Sequence, residues 1–164
     1  MELDRTDRRI LALLQRSARM SNQELAEAVG LSAAPCWRRV KRLEAAGVVA
    51  GYAAQLDAGA VGLPITAFAL VSLDNHHPDS VRAFDALVEA RPEVLECYSM
   101  TGQHDYLVKI VASSISAYDE FLNAHLLPIP GVRAVNSSIV LKRKKHTTVL
   151  PIAPDPVRRR ESQR

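Results

Sequence analysis

The chain has 164 residues, enough for one domain or two small ones, and its 48% hydrophobic content can supply packed cores. No apolar run reaches the length of a membrane span, and no signal-peptide pattern stands at the N-terminus. The two cysteines, Cys36 and Cys97, make no disulfide framework, so a cytoplasmic protein is expected. Net charge is +3 but unevenly spread: residues 1–62 carry nine Lys/Arg against seven Asp/Glu, residues 63–141 four against nine, and residues 142–164 eight against two. Contact with a polyanion is therefore expected at the ends, not in the middle.

Asp4 to Gln15 reads as a first helix, with Leu3, Ile10, Leu11 and Leu14 facing a core. Its arginines Arg8, Arg9 and Arg16 suit phosphate contact or a solvated face equally. Ser21 and Glu24 have capping-box spacing, Leu25, Ala26 and Val29 make an apolar face, and Gly30 ends this second helix. Ser32 is the expected cap of a third helix with Pro35 in its first turn. Two short helices joined by a glycine turn outline a helix-turn-helix. On the third helix Cys36, Val40, Leu43 and Gly47 fall inward at about 100° per residue. Arg38 and Arg42 lie on the opposite side, flanked by Ala34, Pro35, Arg39 and Lys41. A cationic outward face with small residues at the helix start suits a major groove, since guanidinium forks fit guanine edges and phosphates alike. A merely solvated charged face is the competing reading.

Val49 to Gln55 alternates weakly and predicts a short strand, followed by a linker around Asp57 to Gly62. ITAFALVSL from Ile65 is a short apolar run with β-branched and aromatic members, a buried strand. Asp79 to Glu89 carries Val81, Phe84, Leu87 and Val88 at helical spacing. Val94 to Thr101 and Tyr106 to Val111 read as strands around a turn, and Ser116 and Asp119 as caps of a helix bearing Phe121, Leu122 and Leu126. Val132 to Lys142 reads as a last strand after Pro130-Gly131. The order β-α-β-β-α-β is the ferredoxin-like pattern. Two helices cover one sheet face; the other, also rich in apolar residues, predicts an obligate dimer.

In the turn from Thr101 to Tyr106, glycine lets backbone amides turn outward, where they can hold a carboxylate. Asp105 can accept from an ammonium, and Tyr98, Met100 and Ile110 can line an apolar slot. The same spacing suits a plain hairpin turn whose Asp bonds its own backbone. The histidines (His76, His77, His104, His125 and His146) match no zinc spacing, and no metal or cofactor is expected. Lys142 to Lys145 reads as a cationic strand extension, and the prolines and Arg158-Arg159-Arg160 after Pro151 read as a disordered basic tail.

LDRTDRRILALLQ, SNQELAEAVGLS, PCWRRVKRLEAAGVVAGY, ECYSMTGQHDYLVKI and LPIPGV stand in the order seen in the Lrp/AsnC family of feast/famine regulators, and the chain resembles that family from about Leu3 to Leu150. Ala33 and Ala34 stand where Pro and Thr are common, and Gln103 where the loop usually has Asp. The resemblance implies an α+β protein: a winged-helix-like helix-turn-helix domain over 1–50 and a hinge strand and linker over 51–62. A ferredoxin-like effector and assembly domain over 63–150 and a tail over 151–164 complete it. It implies a DNA-binding regulator, not an enzyme, that forms homodimers and then tetramers or octamers, with the hinge strand pairing with its copy in a second subunit. Double-stranded DNA is to meet Ser32, Ala34, Pro35, Trp37, Arg38, Arg39, Lys41 and Arg42. An amino-acid effector is to sit between dimers, at Tyr98, Met100, Thr101, Gly102, Gln103, His104, Asp105 and Tyr106. Two alternatives stand beside it: a nucleoid-organising protein with weak sequence preference, and an enzyme resembling the siroheme decarboxylases.

Overall fold

A computed structural model describes residues 1–74 and 77–153. His76 and the Arg158-Arg159-Arg160 run, singled out above, lie outside the described residues. Contacts divide the chain into two units, one of Met1–Ala54 joined by the chain from Lys145 onward, the other Gln55–Lys144. The second boundary falls earlier than the one expected at 150, because residues 145–152 pack with the N-terminal helices.

The first unit is built on three helices, α1 (Arg5–Leu14), α2 (Asn22–Val29) and α3 (Ala33–Ala45). Each start has a local cause. Asp4 Oδ1 accepts from the Asp7 amide at 2.8 Å while the Asp4 amide donates to Asp7 Oδ2 at 3.2 Å, a capping box that opens α1. Ser21 and Glu24 form the same reciprocal pair at α2, as their spacing predicts. Gly30 closes α2 at φ +75°, and the Leu31 amide reaches back to the Ala26 carbonyl at 2.9 Å. Ser32 precedes α3 but its hydroxyl makes no capping bond; the turn is held instead by Asn22 Nδ2 donating to the Ala33 carbonyl at 2.8 Å. Ile10, Leu11, Leu25, Ala26, Val29, Cys36 and Leu43 are buried together, with Leu3, Leu14 and Val40 at their margin. Gly47 is exposed beyond the end of α3 and is not part of that core. Arg9, though exposed, donates to the carbonyls of Ala28 (2.9 Å) and Val29 (3.4 Å) and so binds the open end of α2.

Val49 to Gln55 is not a strand. A strand needs a partner ladder, and among the described residues none lies beside this segment; the Tyr52 hydroxyl donates to Glu44 at 3.0 Å.

The second unit contains β1 (Ile65–Leu73), α4 (Pro78–Ala90), β2 (Val94–Ser99), β3 (Tyr106–Ala112), α5 (Ile115–Phe121) running into a π-helical turn at Leu122–Leu126, and β4 (Val132–Ile139). The strands form one antiparallel sheet in the order β2-β3-β1-β4, the ferredoxin-like arrangement. Pleating sends Ala67, Ala69, Val71, Val108 and Ile110 to one face, where they bury with Phe84, Tyr118, Phe121 and Leu126. The cap of α5 is Ser114, whose Oγ accepts from the Ala117 amide at 3.0 Å, not Ser116 or Asp119. β4 stops at Ile139 because β1 begins at Ile65; the Val140 amide bonds Thr66 and then the ladder has no further partner. Lys142 to Lys145 is therefore not strand. On the second sheet face Phe68, Leu70 and Leu107 are half-buried, bordered by the Lys109–Glu96 ion pair at 2.6 Å.

Candidate nucleic-acid interface

α3 presents its first turn and one long side to solvent. Ser32, Ala34, Trp37, Arg38, Lys41 and Arg42 are exposed, and Pro35 and Arg39 are half-buried. The four cations expected on this face do not behave alike. Arg39 reaches across to α1, pairing with Asp4 at 2.6 Å and Asp7 at 2.8 Å. Arg42 takes the other oxygen of the same Asp7 at 2.6 Å. The Asp7 side chain is 1% exposed, against 30% for Arg39 and 50% for Arg42, so one buried carboxylate pins two guanidiniums. Those bonds, to Asp4 first and Asp7 next, hold the Arg39 proton more firmly than usual. Lys41 pairs with Glu44 at 2.7 Å on the surface. Among the described residues Arg38 alone of the four has no carboxylate partner.

Arg39 and Arg42, expected on the DNA face, also act as staples between α3 and the start of α1. Asp7, which the linear pattern did not single out, joins both. The signal was present, since Asp7 stands three and four residues before Ile10 and Leu11, on the face those two bury. Trp37, 53% exposed, lines a groove of about 230 Å³ together with Met20, Leu25, Val40, Lys41 and Tyr52.

The loop from Thr101 to Asp105 is fastened to the end of β1. The Met100 amide donates to the Asp105 carbonyl at 2.8 Å, the Asp105 amide to the Val71 carbonyl at 2.9 Å, and Asp105 Oδ2 accepts from the Leu73 amide at 2.7 Å. Asp105 thus bonds backbone, but that of β1 rather than its own turn. His104 Nδ1 lies 3.0 Å from the hydroxyl of buried Ser72. Thr101, Gly102 and Gln103 are exposed at the tip.

The expected lining is only partly assembled. Ile110 is fully buried under the helices and cannot line a slot. Tyr106 stacks on Phe84 with ring centroids 4.3 Å apart, on the helix side of the sheet. Tyr98 pairs across the strands with Leu107, and so projects from the opposite face to Tyr106. It is half-exposed and donates to Glu96 at 2.8 Å, which raises its phenol above the usual range. Among the described residues no group of three or more His, Cys, Asp or Glu is placed to hold a metal. No described helix is long and apolar enough to cross a membrane.

The profile of a winged helix-turn-helix DNA-binding domain matches residues 3–50, and that of the Lrp/AsnC ligand binding domain matches residues 66–150. The chain belongs to the Lrp/AsnC family. It is a DNA-binding transcriptional regulator of that type, an α+β protein with the two-domain plan the resemblance implied. Among its relatives, the DNA-binding transcriptional activator DecR of Escherichia coli is 42% identical over 150 residues, covering 92% of this chain and 99% of that one. The leucine-responsive regulatory protein of Salmonella typhimurium is 38% identical over 151 residues, 92% of each chain. A Neisseria meningitidis transcriptional regulator solved as its L-Met complex superposes with a TM-score of 0.87 at 45% identity, covering 92% of this chain and 97% of that one.

Proposed function

We propose that this Lrp/AsnC regulator works as a homodimer or higher oligomer that reads two half-sites about one helical turn apart. Arg38 makes its principal arginine contact with base or phosphate, and Ser32, Ala34 and Pro35 let the helix start approach closely. The observation that carries this is the division of labour on α3: Asp4 and Asp7 bind Arg39 and Arg42, while exposed Arg38 has no carboxylate partner among the described residues. Trp37, Lys41 and Arg42 flank the contact, and Lys41 adds charge. The half-buried apolar stripe Phe68, Leu70 and Leu107 is the surface a second subunit would cover.

The effector is an amino acid whose carboxylate meets amides of the loop from Thr101 to His104. The L-Met complex of a similar protein supports this ligand class. Gln103, neutral and exposed, is a polar side chain at the loop tip beside Thr101. Tyr98, Met100 and His104 border the site, and Tyr106 supports it from beneath.

Gel shifts at fixed salt test the DNA reading. Arg38→Ala should weaken operator binding by ~1–3 kcal/mol and relax preference at one base. Equal binding by wild type and variant would overturn the assignment. An operator-to-random affinity ratio near one would favour the nucleoid-organising alternative. Calorimetry with the common L-amino acids tests the effector; the reading fails if none binds and none alters operator affinity.

A further inference from the structure

After β4 the chain does not trail away but returns to the helix-turn-helix unit. The side-chain amide of Gln15, the C-cap of α1, clasps the backbone of Leu150: the Leu150 amide donates to Gln15 Oε1 at 2.6 Å, and Gln15 Nε2 donates to the Leu150 carbonyl at 3.3 Å. Two residues on, Ile152 packs against the cluster formed by Ile10, Leu11 and Leu25. The Leu150 side chain itself is 69% exposed, so the clasp holds backbone and the anchor is Ile152. Residues 145–152 are thus a strap seated on α1, contributed from 135 positions away in sequence.

The consequence is topological. The sheet unit is inserted into the helix-turn-helix unit and joined to it by two irregular, exposed stretches, residues 50–56 and residues 140–144. At full extension a chain spans ~3.3–3.6 Å per residue, so the first stretch alone allows about 26–29 Å between Val49 and Asp57. The second limits Ile139 and Lys145 to about 20 Å, but only while the strap is seated. A unit held at two points has far less freedom to swing than one held at one.

We infer that the strap, through Gln15 and Ile152, determines the half-site spacing that the dimer accepts. It does so by restricting where each recognition helix can reach, not by touching DNA. This rests on the proposed reading of two half-sites by a dimer. Gln15 and Ile152 are positioning residues. With the strap seated, the second half-site is met at high effective concentration and in one orientation; with it released, the concentration falls and the orientations spread.

The test uses the full chain with Gln15→Ala/Ile152→Ser, which leaves net charge unchanged. Single Gln15→Ala serves as a second variant that spares the core contact. Loss of hydrogen-exchange protection at the Leu150 amide verifies release. Operators with the half-sites at the preferred spacing and moved by five base pairs are compared with an isolated half-site. Affinity for the isolated half-site should stay within twofold of wild type. At the preferred spacing the double variant should bind about tenfold more weakly, and its penalty for the five-base-pair shift should shrink at least about threefold, with Gln15→Ala intermediate. An unchanged spacing profile despite a released strap would overturn the inference. So would an equal loss on isolated and paired half-sites, which would make the strap a fold support only. Failure of wild type to prefer any operator would instead refute the DNA reading beneath it.

Discussion

Asp7 is the most consequential side chain of the helix-turn-helix unit, and removing it gives the sharpest check on how that unit is held together. Its carboxylate is 1% exposed and accepts from Arg39 at 2.8 Å and Arg42 at 2.6 Å, besides bonding the Asp4 amide. Deleting one partner of a fully buried ion pair costs ~3–5 kcal/mol, because the other charge is left without water or counterion. Here the guanidiniums are 30% and 50% exposed and can rehydrate, which lowers the cost of Asp7→Ala to about 2–3 kcal/mol. For a unit of this size that is a drop in unfolding midpoint of about 10–20 °C. The chain has one tryptophan, Trp37, and it lies on α3, so its fluorescence during urea unfolding reports on this unit specifically. Asp7→Asn, which keeps shape and one acceptor, should fall between wild type and Asp7→Ala. A loss below about 0.5 kcal/mol for Asp7→Ala would refute the stapling argument and make Arg39 and Arg42 free cations after all.

Acid should weaken the same unit. The Asp4 carboxyl is held below its usual range by the Asp7 amide first and by Arg39 as well. Its stabilising effect is therefore full above the unfolded value and lost as pH falls through the lower folded one. Trp37-monitored stability of Asp4→Asn should accordingly fall less between pH 6 and pH 3 than that of wild type. Glycine replacements should separate backbone strain from collision. Gly30, at φ +75° with open space where a methyl group would go, should lose about 1–2 kcal/mol as Gly30→Ala. Gly131, at φ +87°, would place that methyl 2.5 Å from Oγ and 2.8 Å from Cβ of buried Ser80, so Gly131→Ala should cost about 3 kcal/mol in urea melts followed by circular dichroism.

Local signals in the sequence determined the elements. Ser21 with Glu24, Gly30, and the periodicities of Val81 to Val88 and of ITAFALVSL each act within a few residues, and each element formed where those residues stand. The order of elements then fixed the ferredoxin-like plan, and the separated motifs identified the family. Errors cluster where a residue's fate depends on what the chain brings to it from afar. Val49 to Gln55 has strand-like residues but, among the described residues, no second strand beside it. Lys142 to Lys145 loses its ladder because β1 starts at Ile65. Ile110 and Tyr106 look like pocket residues in a linear motif, yet pleating buries Ile110 in the core and sets Tyr106 against Phe84 at its margin.

Charge is the plainest case. A helical projection knows only the angle between residues on one axis, so it cannot tell which cations of α3 meet a carboxylate on another helix. Lys41 finds Glu44 within its own helix, but the fates of Arg39 and Arg42 depended on Asp4 and Asp7, more than thirty residues earlier, on α1 and its cap. The strap carries the same lesson over 135 positions: no local pattern around Leu150 announces Gln15. Backbone propensity is a short-range property and was read directly; the pairing of polar groups is a property of packed surfaces, and only the tertiary structure decided it.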